Sequence, residues 1–194
     1  MNLKFVLYDW GGLNAAIFQA INMGTPESFD LLALIFGYMG SYWTAPIAMV
    51  ALWIWHRAAI DGRRADAIRS QLIRFGVALV LALIMTTLLK LLLDFPRPSA
   101  VFGDAVHVVG EAEDHYSLPS GHATYAALII GTLWPLSGLR LRSVLVLYMI
   151  LVGWSRIAAG MHFPADIMAG WSLGLGCLAA ASRLHIARSP NDNR

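Results

Sequence analysis

The chain has 194 residues, of which 58% are hydrophobic and 13% charged, and its mean hydropathy is +0.61. Soluble domains average about 45–50% apolar and about 25% charged, so a disordered tail, a secreted disulfide scaffold and an ordinary cytosolic enzyme are excluded. A net charge of +2 leaves no basic face for nucleic acid. What remains is a small integral membrane protein, a single domain over residues 1–194.

Met1 to Gly12 lacks a long apolar stretch and does not read as a cleavable signal peptide. Asn14 to Asn22, with Phe18 and Ile21, suits an interfacial N-terminal helix, a sixth re-entrant or spanning element being the alternative. Leu31 to Trp55 carries no Asp, Glu, Lys or Arg over 25 residues, enough to cross a hydrocarbon core of about 30 Å. Phe75 to Leu89, Ala123 to Leu139, Ser143 to Ser155 and Ile167 to Ser182 are further apolar runs. The last three span only if their polar flanks are included, with arginines snorkelling outward. The expected fold is therefore all-α: a polytopic transmembrane bundle of five spanning helices plus the N-terminal helix. The lone cysteine, Cys177, has no intramolecular partner.

Charge placement fixes orientation. Arg57, Arg63, Arg64, Arg69 and Arg74, then Arg140 and Arg142, then Arg183, Arg188 and Arg194 make ten of the 14 basic residues, all on one side of a five-span bundle. The positive-inside rule makes that side cytoplasmic. The N-terminus and the acidic loop from Asp94 to Gly121 then face outward. Four basic residues remain there, Lys4, Lys90, Arg97 and Arg156, three of them at or near span ends, where charge is costly and marks function.

Three segments meet at this outer boundary: Lys90 to Pro98, Pro119-Ser120-Gly121-His122, and Ser155-Arg156 through His162 to Asp166. Each residue type suits a phosphate ester. Two arginines and a lysine neutralise equatorial oxygens. Ser120 stands at an N-cap, and Gly121 lets helix-start amides approach an anion. Pro164 suits the first residue of a helix, which puts Asp166 in the first turn. From there Asp166 can accept from one ring nitrogen of His162, leaving the other as a nucleophile. His122 is then available to protonate the leaving oxygen.

These blocks, Lys-x6-Arg-Pro, Pro-Ser-Gly-His and Ser-Arg-x5-His-x3-Asp, are complete and in order between residues 90 and 166. With them the chain resembles the type-2 phosphatidic acid phosphatase superfamily, membrane branch. The resemblance implies a phosphohistidine at His162 supported by Asp166, with His122 as general acid and then base. It implies phosphate binding by Lys90, Arg97, Arg156, Ser120 and Gly121, and neither metal nor cofactor.

The depth of the cationic site, at the outer headgroup level, favours a lipid phosphate over a soluble one. The expected enzyme sits in a bacterial inner membrane and acts on the periplasmic face. The compact chain is most similar to undecaprenyl-diphosphate phosphatases, although that branch often has Asp where Gly121 stands. Phosphatidylglycerophosphate, phosphatidate and lipid A phosphatases are the alternative, and a non-catalytic anion-binding or transport protein the alternative of another class. The oligomeric state is open.

Bland readings cover the rest. His107 and His115 read as solvated loop histidines, since their spacing matches no standard metal site. The tryptophans read as belt and packing residues. Gly170, Gly174 and Gly176 read as helix-packing positions.

Overall fold

The computed structural model describes residues 8–187. Lys4, Arg188 and Arg194 lie outside the described residues, as does the start of the Met1–Gly12 segment. All regular structure among the described residues is helical: α1 (Leu13–Asn22), α2 (Asp30–Met39), α3 (Ala45–Ala58), α4 (Gly62–Leu93), α5 (Pro98–Phe102), α6 (Gly121–Leu133), α7 (Leu139–Ala158) and α8 (Pro164–Ala187).

Local chemistry explains the boundaries. Asp61 caps α4 by accepting from Arg63 N at 3.1 Å, and Ser120 caps α6 by accepting from Ala123 N at 3.5 Å. Pro98 and Pro164 stand first in α5 and α8, where a missing N–H costs nothing. α4 stops where Asp94 takes the left-handed conformation, φ 41°.

Two expectations change. The apolar run from Leu31 to Trp55 is not one straight span: α2 and α3 belong to a pair bent by 55°. The break falls at Gly40-Ser41, where the Ser41 hydroxyl accepts from Trp43 N at 3.4 Å and opens the helical ladder. The run from Ala123 to Leu139 yields only the 13-residue α6, closed by a 3₁₀ turn at Trp134–Leu136. Pro135 lacks the N–H that would continue it. Thus, among the described residues, three helices, α4, α7 and α8, are long and apolar enough to cross a membrane, and the bent pair counts as a fourth.

α6 occupies the centre, packed most extensively on α8 and also on α4 and α7. One core joins α3, α4, α6 and α8 through Leu52, Phe75, Tyr125, Leu128 and Leu178. A second joins Phe18, Ala123, Ile157, Phe163 and Ile167 near the start of α8. Outward, Val80, Leu83, Ile84, Val144, Leu147 and Ile150 are exposed. Only 17% of the most apolar stretch of α4 is buried, so its apolar surface requires hydrocarbon rather than water around it. This is a multi-pass membrane protein.

Candidate active site

The three sequence blocks converge at one end of the bundle. Lys90 ends α4, Arg97 precedes α5, Gly121 and His122 open α6, Arg156 lies in the last turn of α7, and His162 sits in the α7–α8 connection. All six line one cavity of about 350 Å³, together with Tyr42, Trp43, Leu83, Thr86, Thr87 and Glu113.

His162 is placed by backbone first. The α7–α8 turn runs through Gly160 at φ 74°, where a Cβ would lie 2.6 Å from the His107 carbonyl oxygen, so only glycine fits. Met161 N and His162 N then both donate to the Arg156 carbonyl, at 3.0 and 3.2 Å. The ring is 3% exposed, and its Nδ1 lies 3.5 Å from Asp166 Oδ2. Nε2 is left for the cavity. Burial pushes the imidazole down to about 4, against the opposing pull of Asp166, so at neutral pH the ring is uncharged.

Asp166 is fully buried. Its Oδ2 accepts from Ser117 Oγ at 2.5 Å and from Phe163 N at 2.8 Å, and its Oδ1 accepts from Tyr8 Oη at 2.8 Å. Three donors thus satisfy a carboxylate that is shut away from water.

The cations differ in how they are held. Arg97 donates from Nε to His115 O at 2.9 Å and from Nη1 to Met161 O at 3.3 Å, and pairs through Nη2 with Glu113 at 2.5 Å. Lys90 Nζ donates to the Tyr116 carbonyl oxygen. Arg156 lies against α2 at Gly37, where a Cβ would come within 2.8 Å of its Nη1. Its buried Nε has no hydrogen-bond partner among the described residues.

Ser120 takes a different place from its companions. It is fully buried, caps α6 through Oγ, and donates its N–H to the Asp166 carbonyl oxygen at 3.0 Å. It lies off the cavity wall and joins the α6 start, with Gly121 and His122, to the α8 start. Among the described residues, no group of three His, Cys, Asp or Glu side chains is placed to hold a metal ion.

Several expectations on neighbouring residues are corrected. His107 is not a free loop histidine, because Nε2 lies 3.0 Å from Asp30 Oδ1 at the start of α2. His115 pairs more openly with Asp94 at 3.1 Å. Gly170 and Gly174 do allow close packing, but Gly176 faces open space. Trp43, 85% exposed, stands at the cavity lip rather than in the packing. Phe18 and Asn14 of α1 point into the protein and are buried; α1 lies over the start of α8. Tyr8, Ser117 and Glu113 were missed. Only Ser117, three residues before Ser120, stood near a motif; the other two carry no local signal.

A model of the PAP2 superfamily matches residues 71–190. The chain belongs to the PAP2 superfamily. It is similar to YbjG of Escherichia coli (strain K12), 30% identical over 177 residues covering 87% of this chain and 81% of that one. It is also similar to an undecaprenyl-diphosphatase of Sulfolobus acidocaldarius, 26% identical over 164 residues, covering 84% and 74%. Among solved structures, LpxE of Aquifex aeolicus superposes with a TM-score of 0.77 at 26% identity, covering 88% of this chain and 95% of that one. The protein is thus a membrane phosphatase of PAP2 type, and Lys90, Arg97, Gly121, His122, Arg156 and His162 of the cavity all lie within the segment that the family model matches.

Proposed function

We propose that this PAP2 protein hydrolyses a lipid phosphate or diphosphate through a phosphohistidine, with undecaprenyl diphosphate as the preferred substrate and undecaprenyl phosphate as product. One observation carries the reading: a single cavity holds Lys90, Arg97 and Arg156 beside His122 and His162, with His162 backed by buried Asp166. The name of the Sulfolobus acidocaldarius relative supports the choice of lipid.

The cations and the Gly121 amide bind the outer phosphoryl group. His162 Nε2 attacks its phosphorus, while Nδ1–H stays on Asp166. The bond to the bridging oxygen breaks, and His122, which takes up a proton from solvent when the anionic substrate binds beside it, gives that proton to the oxygen as the lipid departs. Water then attacks the phosphohistidine, His122 takes its proton, and inorganic phosphate leaves. No metal enters these steps. Leu83 on α4 and the exposed Trp43 flank the cavity, so an isoprenoid or acyl chain can stay in the membrane while its phosphate is bound.

The bent α2–α3 pair, α4, α7 and α8 cross a bacterial inner membrane, and the short α6, buried among them with its 3₁₀ turn, completes a fifth passage, with the arginine-rich ends cytoplasmic and the cavity periplasmic. Phosphate release from undecaprenyl diphosphate, measured in detergent without divalent metal, tests the function. His162→Ala is expected to abolish release, and activity that survives this substitution overturns the nucleophile. Millimolar vanadate is expected to inhibit, as a mimic of the phosphoryl-transfer geometry. In a panel with phosphatidylglycerophosphate, phosphatidate and lipid A, undecaprenyl diphosphate is expected to give the highest kcat/KM.

A further inference from the structure

The donors on Asp166 come from opposite ends of the chain. Ser117 and Phe163 belong to the loops carrying the catalytic blocks. Tyr8 lies 158 residues away in sequence and outside the segment, 71–190, that the family model matches. Its hydroxyl is the one donor on Oδ1 among the described residues.

Tyr8 is held firmly. Its ring packs on Phe95, 4.4 Å between centroids, and on Phe163 at 6.1 Å. The helix that follows, α1, presents Asn14, Phe18 and Asn22 along one face at four-residue spacing, and all three are buried. Asn14 Oδ1 accepts from Ala165 N at 2.9 Å. Phe18 packs between Phe102 and Phe163. Asn22 Nδ2 donates to the carbonyls of His107 and Ala158, at 2.8 Å each, and Asn22 Oδ1 accepts from His107 N at 3.0 Å. Through Ala158 and Ala165, α1 therefore grips both ends of the turn that carries His162.

We propose that Tyr8 is a positioning residue for His162: its hydroxyl holds the Asp166 carboxylate and sets how much negative charge that carboxylate presents to Nδ1, with α1 as the clasp. The proposal rests on His162 being the nucleophile. Without the hydroxyl, Oδ1 is a buried anionic oxygen lacking a donor. More charge then falls on the Oδ2 side, the imidazolium is stabilised, and the neutral nucleophile forms only at higher pH. The other ionisable groups around the pair are Lys90 from α4, Arg97 before α5, His122 from α6, Arg156 from α7, and Asp9 beside Tyr8.

The test uses the full-length protein in detergent and whichever lipid of the panel it turns over fastest. Tyr8→Phe keeps the ring contacts and removes only the hydroxyl. The expected result is a kcat about tenfold lower with little change in KM, and an acid limb of kcat/KM moved up by roughly half a pH unit. Substrate ionisation is common to both profiles and cancels in the comparison. Replacing Tyr8 by 3-fluorotyrosine, a more acidic phenol, should move the limb downward, and this measurement decides if Tyr8→Phe fails to fold. Acid limbs that coincide for all forms overturn the proposal, even if the variants melt earlier, because Tyr8 is then only a packing residue. His162→Ala measured in parallel separates the two ideas. If it is inactive while the limbs coincide, the nucleophile stands and the role of Tyr8 falls. If it remains active, the nucleophile falls, and the proposal with it.

Discussion

Arg97 shows how far a motif residue is shaped by its surroundings. Two of its bonds go to backbone carbonyls, so its guanidinium is fixed before substrate arrives. Its third partner, Glu113, is 62% exposed at the cavity rim, and a carboxylate there competes with a phosphoryl oxygen for the same donor. Glu113→Gln is therefore expected to lower KM severalfold with little change in kcat, as measured by initial rates across lipid concentration. The second residue-scale prediction concerns pH. The His162 imidazole is held down to about 4 chiefly by burial, so protonation silences the proposed nucleophile only below that value. Wild-type kcat/KM, once corrected for substrate ionisation, should fall as pH drops through about 4. An enzyme limb near the ordinary histidine value of about 6.5 would contradict this.

Between helices, the contact that matters most is α6 on α8. A Cβ at Gly170 would lie 2.5 Å from the Ser120 carbonyl oxygen and 2.9 Å from Ala123 Cβ. One at Gly174 would meet the Thr124 carbonyl oxygen and come within 2.8 Å of Ala127 Cβ. Backbone cannot yield as a flexible side chain does, so Gly170→Ala must push the start of α6 away from α8. The expected cost is about 1–3 kcal/mol, read as earlier thermal unfolding in detergent. Activity is expected to fall too, because the same displacement moves Gly121 and His122. The small-residue spacing in α8 was legible in the sequence, and Gly176 shows the limit of that signal: it shares the pattern but meets no neighbour. The bend between α2 and α3 was hidden for a related reason. Hydropathy measures how apolar a run is and carries no information on whether its backbone ladder is continuous at Gly40-Ser41.

Across the whole molecule, the helices separate two kinds of positive charge. α4 begins with Arg63 and Arg64 and carries Lys90 in its last turn, about 40 Å further along at the ideal rise. α7 begins with Arg140 and Arg142 and reaches Arg156 in its last turn. At the arginine-rich end, Arg64 stacks over Trp55 and Arg142 over Trp134, at 5.7 and 5.0 Å from the ring centroids. Those cations anchor helix ends, and the others line the cavity where the proposed mechanism binds substrate. With the proposed orientation, a membrane-impermeant thiol reagent should label Asp104→Cys in intact spheroplasts but Arg63→Cys only after permeabilisation. Cys177 is buried and contributes little background.

The sequence by itself determined the membrane class, the all-helical fold and the candidate residues of the proposed phosphate site, because hydropathy, helix caps and three ordered motif blocks are local properties. Lys90, Arg97, Gly121, His122, Arg156 and His162 do share one cavity, while Ser120 and Asp166 stand behind its wall. Only the tertiary structure decided the donors to Asp166, the partner of Arg97 and the pairing of His107 with Asp30. Each joins residues far apart in the chain, and Tyr8 reaches Asp166 only because α1 is gripped at Ala158 and Ala165. A single tyrosine near the start of a chain has no periodicity and no neighbours to mark it; its meaning lies in what folds against it.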